Sequence, residues 1–512
     1  MRCAPMPTDR TSDREQELKL AVPEGAAGML LDHPVLGLSG PDARRKHQVS
    51  TYYDTVGETL ARNGVALRVR RNDGTHVQTV KAAGRAGIAA DRGEWEWPVD
   101  DDLPDASLLA RTPIADRLPA GLDLRPVVTT EIDRTSRMLR LDDGTEIEAA
   151  FDAGWIIAGN AREPVRELEL ELRRGNAGAL YRLALQLHAS MPLTIETAAK
   201  SERGFRLRRG AQAGPSKAAH VALASGTPGA GAFREIMAVG LHHLLVNRPA
   251  ALAGNAEGLH QMRVAVRRLR AGLALFQPHL ERHALARFQA ELRRIGRVFG
   301  EARGWDVFCR QILPDMTARD TAGWGSLLRQ PAEACREAAY RAVTQAIGAP
   351  DFTALVLGLA AWAEQGCTAA NLLGDHALHR PISRLCPDLL DRLADKVEHR
   401  GRHIDDGSDA DRHALRKSLK KLRYASDYVA GAYPRKAVES YLHRCKKLQQ
   451  TLGDISDTVA ATGLAERLAE RHTDLAPALS ALACLLTARR QDALHDLPRR
   501  WRKFQHEQRF WS

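Results

Sequence analysis

The sequence predicts a two-domain α+β protein: a β-rich first half, then an all-helical second half that repeats itself. Three observations carry this. Short alternating runs fill the first half, apolar residues with a 3.6 period fill the second, and a Gly/Ala/Ser/Pro-rich stretch separates them. At 512 residues the chain is too long for one hydrophobic core. Its 44% apolar and 27% charged shares exclude a disordered chain.

Strands are expected at Glu15–Ala21, Gln48–Tyr53, Ala66–Arg71, Val77–Lys81, Gly93–Val99, Val127–Asp133, Arg137–Leu141, Glu146–Phe151 and Arg166–Leu172. Asn72-Asp73-Gly74 and Asp142-Asp143-Gly144 are turn signals between them. Many short antiparallel strands imply a barrel or a sandwich. One helix is expected near Asn176–Ala189, before Pro192. Gly210–Gly231 reads as linker, which sets domains at 13–208 and 230–505 with a 209–229 connection.

The helical half contains an internal repeat. His260, Arg263, Arg267, Arg268, Leu269 and Arg270 superpose on His413, Arg416, Lys420, Lys421, Leu422 and Arg423 at an offset of 153. The same offset carries Arg293-Arg294-Ile295 onto Lys446-Lys447-Leu448 and Gly300 onto Gly453, while Asp306 and Asp457 nearly coincide at 151. Two related helical halves facing each other follow. Charge separates the domains too: residues 1–225 carry net −1 and 226–512 carry net +12. Such an excess implies a polyanionic partner: nucleic acid, anionic membrane or polyphosphate.

Alternation places Glu15, Glu17 and Lys19 on one strand face, and likewise Arg68 with Arg70, Glu94 with Glu96, and Glu167 with Glu169 and Glu171. Leu18, Leu67, Val69, Leu168 and Leu170 take the opposite face, as do Trp95 and Trp97. The charged face is either solvated surface or a barrel lumen. Glutamates repeated on one face repel each other unless a cation is bound, and paired arginines suit a multiply charged anion. A lumen holding both suits a metal–phosphate substrate.

Glu15-Gln16-Glu17-Leu18-Lys19 resembles the ExExK signature of the CYTH, or triphosphate tunnel metalloenzyme, superfamily. Its later motifs are matched in order by Tyr52-Tyr53-Asp54-Thr55, Ala66–Arg71, Thr79-Val80-Lys81, Arg92–Glu96, Arg134, Asp152, Glu167–Glu171 and Lys200–Arg203. The resemblance implies an eight-stranded antiparallel barrel enclosing a tunnel, and attack of water on a triphosphate assisted by Mg²⁺ or Mn²⁺. It implies metal ligands among Glu15, Glu17, Asp152, Glu167, Glu169 and Glu171. Phosphate would be gripped by Lys19, Arg68, Arg70, Lys81, Arg134, Lys200 and Arg203. Glu15, Glu17, Lys19, Glu94 and Glu96 would form the catalytic set. Inorganic triphosphate is the expected substrate, since no base- or thiazole-binding pocket is evident. The alternatives are a thiamine-triphosphatase- or adenylate-cyclase-like member, or a barrel that only binds a phosphorylated ligand.

On helices, His260, Arg263, Arg267 and Arg270 form one narrow stripe, as do His413, Arg416, Lys420 and Arg423, widened by Arg268, Lys417 and Lys421. One basic stripe is usually a solvated face; the same stripe twice, without acidic i,i+4 partners, favours a bound anion. This pattern, with Arg294, Arg297, Arg303, Lys446 and Lys447, resembles the CHAD domain. The resemblance implies two four-helix bundles about a pseudo-two-fold axis and a basic groove for inorganic polyphosphate. A nucleic-acid partner is not expected, because stacking aromatics are missing from both motifs.

Seven scattered cysteines without CxxC spacing argue against a disulfide framework or zinc site and fit a reducing cytoplasm. No apolar run long enough to span a membrane and no secretory signal are seen. A cytoplasmic protein, associated with polyphosphate granules, is the expectation; oligomeric state is open.

Overall fold

The computed structural model describes residues 11–72, 74–85, 87–221, 223–319, 323–372 and 376–512; the side chains of 11–15, 85, 91, 319, 366–372 and 376 lie outside that description. The chain divides into two compact units. The first runs to Ala213 and includes Thr353–Trp362; the second comprises Gly214–Phe352 and Ala363–Ser512.

The first unit is an antiparallel sheet of β1 (Thr11–Ala21), β2 (Arg44–Asp54), β3 (Val65–Asn72), β4 (Thr75–Arg85), β5 (Ala90–Val99), β6 (Arg125–Arg140), β7 (Glu146–Ala158), β8 (Ala161–Arg174) and β9 (Thr194–Glu196). Their order is β5-β4-β3-β2-β6-β7-β8-β1-β9, and β5 also pairs with β1. That last pairing joins the eight longer strands into one circuit, with β9 a short addition to β1. The two strands expected at Val127–Asp133 and Arg137–Leu141 are one sixteen-residue strand, β6. Arg134, Thr135 and Ser136 interrupt the apolar alternation but stay in the ladder, opposite Asp152, Phe151 and Ala150. β9 is too short to carry a periodic signal. The Asp142-Asp143-Gly144 turn forms as read, with Gly144 at φ +79° and Leu141 N–H bonded to Thr145 O at 2.9 Å. Asp73, in the other turn signal, lies outside the described residues.

This barrel is apolar outside and polar inside. Leu18, Leu20, Leu168 and Leu170 are fully buried on the outward face, where α3 (Ala177–Ser190) packs against β1 and β8. Asn176 caps α3, accepting from Gly178 N–H at 2.7 Å. Leu67, Val69, Val80 and Trp97 pack outward beneath Leu108, Leu109 and Ile114. Two short helices, α1 (Ala27–Leu31) and α2 (Thr59–Arg62), complete the periphery. α4 (Lys200–Arg208) packs on β6, β7 and β8. Gly204 permits this approach, for a Cβ there would lie 2.3 Å from Val128 Cγ1.

The second unit is helical: α5 (Gly229–Val246), α6 (Arg248–Leu252), α7 (Ala256–Leu275), α8 (Arg282–Val307), a π-helical turn at Phe308–Ile312, α9 (Leu313–Arg319), α10 (Trp324–Gly348), the two ends of α11 (Pro350–Leu372, whose Thr353–Trp362 segment groups with the first unit), α12 (Ile382–Gly401), α13 (Asp409–Tyr428), α14 (Arg435–Ala469) and α15 (Ala476–Gln505). The repeat is structural. Helix starts Gly229 and Ile382, Ala256 and Asp409, and Arg282 and Arg435 are each 153 residues apart, and Trp324 and Ala476 are 152 apart. The N-caps of α7 and α13, Asn255 and Ser408, share that spacing though their capping chemistry differs. Pro228 and Pro381, also 153 apart, face each other in an isolated antiparallel bridge. Gly229 N–H donates to Arg380 O at 3.0 Å and Ile382 N–H to Thr227 O at 2.7 Å. These two bonds exchange under the repeat, as a local two-fold axis requires. Among the described residues no single helix is long and apolar enough to cross a membrane; Trp324–Gly348 with Pro350–Gln365 passes only as a pair bent by 54°.

Candidate active site and anion groove

The barrel lumen holds a cavity of about 220 Å³. Glu17, Lys19, Arg68, Arg70, Lys81, Glu94, Glu96, Arg134, Asp152, Glu169, Glu171 and Lys200 all line it. The charged strand faces are therefore lumen and not solvated surface. Glu167, 1% exposed, is not among the cavity-lining residues, though Lys200 reaches it at 3.0 Å. The side chain of Glu15 lies outside the described residues.

Strand register sets the pairings. Arg134 sits opposite Asp152 and grips it with two parallel bonds of 2.6 Å while also reaching Glu169. Lys200, brought in by α4, lies 2.6 Å from Glu169, 2.9 Å from Asp152 and 3.0 Å from Glu167. Burial opposes ionisation of these carboxylates, but Arg134 and Lys200 outweigh it for Asp152, as Lys200, Arg134 and Lys19 do for Glu169; both are held below the usual carboxylate range. Burial likewise works against Arg134 and Lys200, and the same carboxylates more than restore them.

The opposite wall is short of negative charge. Lys81 lies 3.1 Å and Arg68 3.8 Å from Glu94. Arg68 Nε is buried with no acceptor among the described residues. Arg70 approaches Ser50 Oγ at 3.4 Å, and burial together with the Arg68 and Arg134 guanidiniums pushes it down to about 10. Tyr52, directly opposite Arg68 in the ladder, is lowered despite its burial by Arg68, Lys200 and Arg70.

The acidic wall suits a hard divalent cation. Glu17 faces Glu171 across the β1–β8 ladder and contacts Glu169, an arrangement that carboxylates alone disfavour. All donors there are oxygens. Among the described residues no group of three or more Asp, Glu, His or Cys converges as a cage.

Arg203 does not line the cavity: its guanidinium is engaged by Glu163 at 2.7 Å, Pro164 O at 2.9 Å and Glu167. It braces β8 instead of facing the lumen. Arg92, part of the matched Arg92–Glu96 motif but given no role there, and Arg173 also line the cavity. Arg173 continues the alternation of Glu167, Glu169 and Glu171, which was the available signal; it pairs with Glu171 at 2.5 Å and with Glu148.

In the second unit, α7 and α13 pack together and their stripes border a cavity of about 380 Å³ lined by Arg263, Arg267, Arg270, His413, Arg416, Lys417, Lys420 and Lys421, with Tyr424 and Ser418. Burial, then Arg267 and Arg416, push Arg263 down to about 10. Burial with Arg416, Arg267 and Arg263 pushes Lys420 down to about 6, and burial with Arg270 pushes Lys421 to about 8. His413 is lowered by partial burial and by Lys417.

The remaining basic residues lie outside this cavity. Arg268 is buried, paired with Asp427 at 2.9 Å and set over the Tyr428 ring. Arg423 bonds Gln449 at 2.8 Å, and Arg294 pairs with Glu291 at 2.9 Å. Arg297, Lys446 and Lys447 are exposed. Arg303 and His260 neighbour each other, and burial and Arg303 lower His260. Asp306 and Asp457 do not correspond: Asp306 is buried and accepts from Tyr340 at 2.9 Å, whereas Asp457 pairs with Arg416 at 3.3 Å. Arg400 lines the cavity, held by Ser418 Oγ at 2.7 Å, and was missed because its repeat partner is Asn247.

Residues 13–205 match the CYTH domain family model and residues 235–466 the CHAD domain model. A 206-residue stretch, 38% of this chain, is 29% identical to an inorganic triphosphatase from Haemophilus influenzae. The match covers 55% of that relative, so the chain spans about half the length of the curated relative it matches. The crystal structure of a CHAD domain from the plant Ricinus communis aligns with TM-score 0.52 and 28% identity over 58% of this chain and 98% of the plant domain.

Proposed function

We propose that this chain, which carries a CYTH domain followed by a CHAD domain, hydrolyses inorganic triphosphate in its barrel, with Mg²⁺ or Mn²⁺, and holds inorganic polyphosphate in its basic groove. Residues 13–208 form the catalytic part, 230–505 the binding part and 209–229 the connection. The carrying observation is the cavity's two walls: carboxylates on one side, and on the other Arg68, whose buried Nε meets no acceptor among the described residues, beside the electrostatically strained Arg70. An oxyanion relieves both at once.

A triphosphate carries about four to five negative charges and needs several cations to leave water. Arg68, Arg70 and Lys81 meet that need on one wall and Lys19, Lys200 and Arg134 on the other. Glu17, Glu169 and Glu171, which do not converge as a ready cage, would have to draw in around the divalent cation, with Glu15 as a further donor. Bound there, it neutralises developing charge and acidifies water. Glu94 keeps Lys81 and Arg68 in place, and Glu96 is steadied by Thr79 Oγ1 at 3.0 Å. Few apolar side chains line the cavity beyond Tyr52 and Ile132, which favours a purely inorganic substrate over a nucleotide or thiamine ester. The groove gathers eight Arg and Lys residues, counting Arg400, a charge density that suits a linear polyanion. Residence in the cytoplasm at polyphosphate granules goes with this reading.

The test is phosphate release by the full chain from triphosphate, ATP, thiamine triphosphate and long polyphosphate, each with Mg²⁺ or Mn²⁺. Triphosphate should be preferred, and Glu17→Gln should lower kcat/KM on the order of 100-fold. Activity indifferent to chelator and to Glu17→Gln would overturn the assignment.

A further inference from the structure

We propose that Lys420 is a covalent acylation site: small anionic acyl donors, acyl phosphates as a class, enter the helical groove and transfer their acyl group to its amine. The inference needs only an anion-attracting cavity, so it stands whether or not polyphosphate is the groove's ligand.

The repeat supplies the argument. Arg263 and Arg267 on α7 correspond to Arg416 and Lys420 on α13, each pair 153 residues apart. All four line one cavity between packed helices. Among the described residues the carboxylates facing this quartet are Asp457, held by Arg416 at 3.3 Å, and Asp454 beside it. Four cations so placed repel one another, and three are guanidiniums, which keep their protons. Lys420 alone can relieve the repulsion by losing a proton, and burial with Arg416, Arg267 and Arg263 pushes its amine down to about 6. A nucleophilic amine therefore stands inside a site that concentrates anions.

In the reaction the amine lone pair attacks the carbonyl carbon of the acyl phosphate. The N–C bond forms, the bond from carbonyl carbon to phosphate oxygen breaks, and its electron pair leaves with inorganic phosphate. The proton lost from nitrogen passes to that phosphate. No oxidant or reductant is involved. The amide product is neutral, so the groove loses one potential cation.

Incubation of the full chain with acetyl phosphate at pH 7, followed by peptide mass spectrometry, tests this. Lys420 should acetylate about tenfold faster than Lys436 and Lys503, which are exposed outside the groove. Pyrophosphate should slow Lys420 and leave Lys436 and Lys503 unchanged. Arg263→Gln should also slow Lys420, by returning its proton and weakening donor capture. Labelling of Lys420 no faster than Lys436, or untouched by pyrophosphate in the wild-type chain, would refute the proposal even if the variant misfolds.

Discussion

Lys200 Nζ lies 2.6 Å from Glu169 Oε1 and, from the first turn of α4, ties that helix to strand β8. The same amine reaches Asp152 and Glu167, both 1% exposed. Lys200→Ala leaves these carboxylates one cation short. Barrel stability should fall by about 3 kcal/mol in urea unfolding, and added Mg²⁺ should recover part of it by occupying the vacated charge. An unchanged midpoint would show that Arg134 and Arg203 suffice.

Arg70 should behave oppositely. It is crowded by Arg68 and Arg134, and among the described residues no carboxylate pairs with it, Tyr52 and Glu96 only partly offsetting the repulsion. Arg70→Gln should cost no stability, or gain up to about 1 kcal/mol. Triphosphate turnover should nonetheless drop on the order of 10- to 100-fold in kcat/KM, the worth of a charged hydrogen bond. A variant that is stable and still fully active would remove Arg70 from the phosphate site.

For the helical groove, Arg263→Gln removes a lining cation whereas Arg268→Gln removes one already spent on Asp427. The slope of log affinity against log salt, with polyphosphate as probe, should shrink by about 0.7 for Arg263→Gln. For Arg268→Gln the slope should stay put while folding stability falls. Equal slopes in the two variants would mean that the cavity is not where the chain binds.

Anion binding there should take up protons. Lys420 faces Arg416, Arg267, Arg263 and Asp457, while Lys421 faces Arg270, Lys396, Arg400 and Arg293. A bound polyphosphate, with a charge at every link along the groove, raises both amines from their depressed values, so the complex holds more protons and affinity rises as pH falls from 9 toward 6. The free protein runs the other way. Its unfolded chain binds the extra protons between about 6 and 10.5 for Lys420, so that residue's contribution to stability grows with pH. Calorimetry of polyphosphate binding at pH 8, in buffers of different ionisation heat, should register net proton uptake of about one; no buffer dependence would contradict it.

Much of the barrel was legible because alternation gathers the charges on one strand face, though that this face lines a lumen and not solvent came from the family resemblance and then from the structure. Glu17, Lys19, Glu169 and Glu171 needed only the two-residue period. What alternation cannot say is how a guanidinium is spent. Arg203 sits in a matching motif, yet Glu163 and Pro164, its acceptors, lie about forty residues away and meet it only in three dimensions. β6 was split because Arg134, Thr135 and Ser136 look like a break in the apolar alternation, although Arg134 is a lumen residue of a continuous strand. In the helices, the repeat located the stripe residues facing the cavity but overextended to Asp306, and it could not find Arg400, whose counterpart is Asn247.

The reciprocal hydrogen bonds at Pro228 and Pro381 bear on what kind of guest suits the groove. A receptor built twice about one axis approaches having neither head nor tail, and here the two halves differ in detail, with Arg400 set against Asn247 and His413 but not His260 at the cavity. A nucleic acid strand runs 5′ to 3′ and would meet the two halves differently. A chain of identical phosphate links reads the same from either end, so the proposed guest would present the same charges to both basic stripes in either sense of threading.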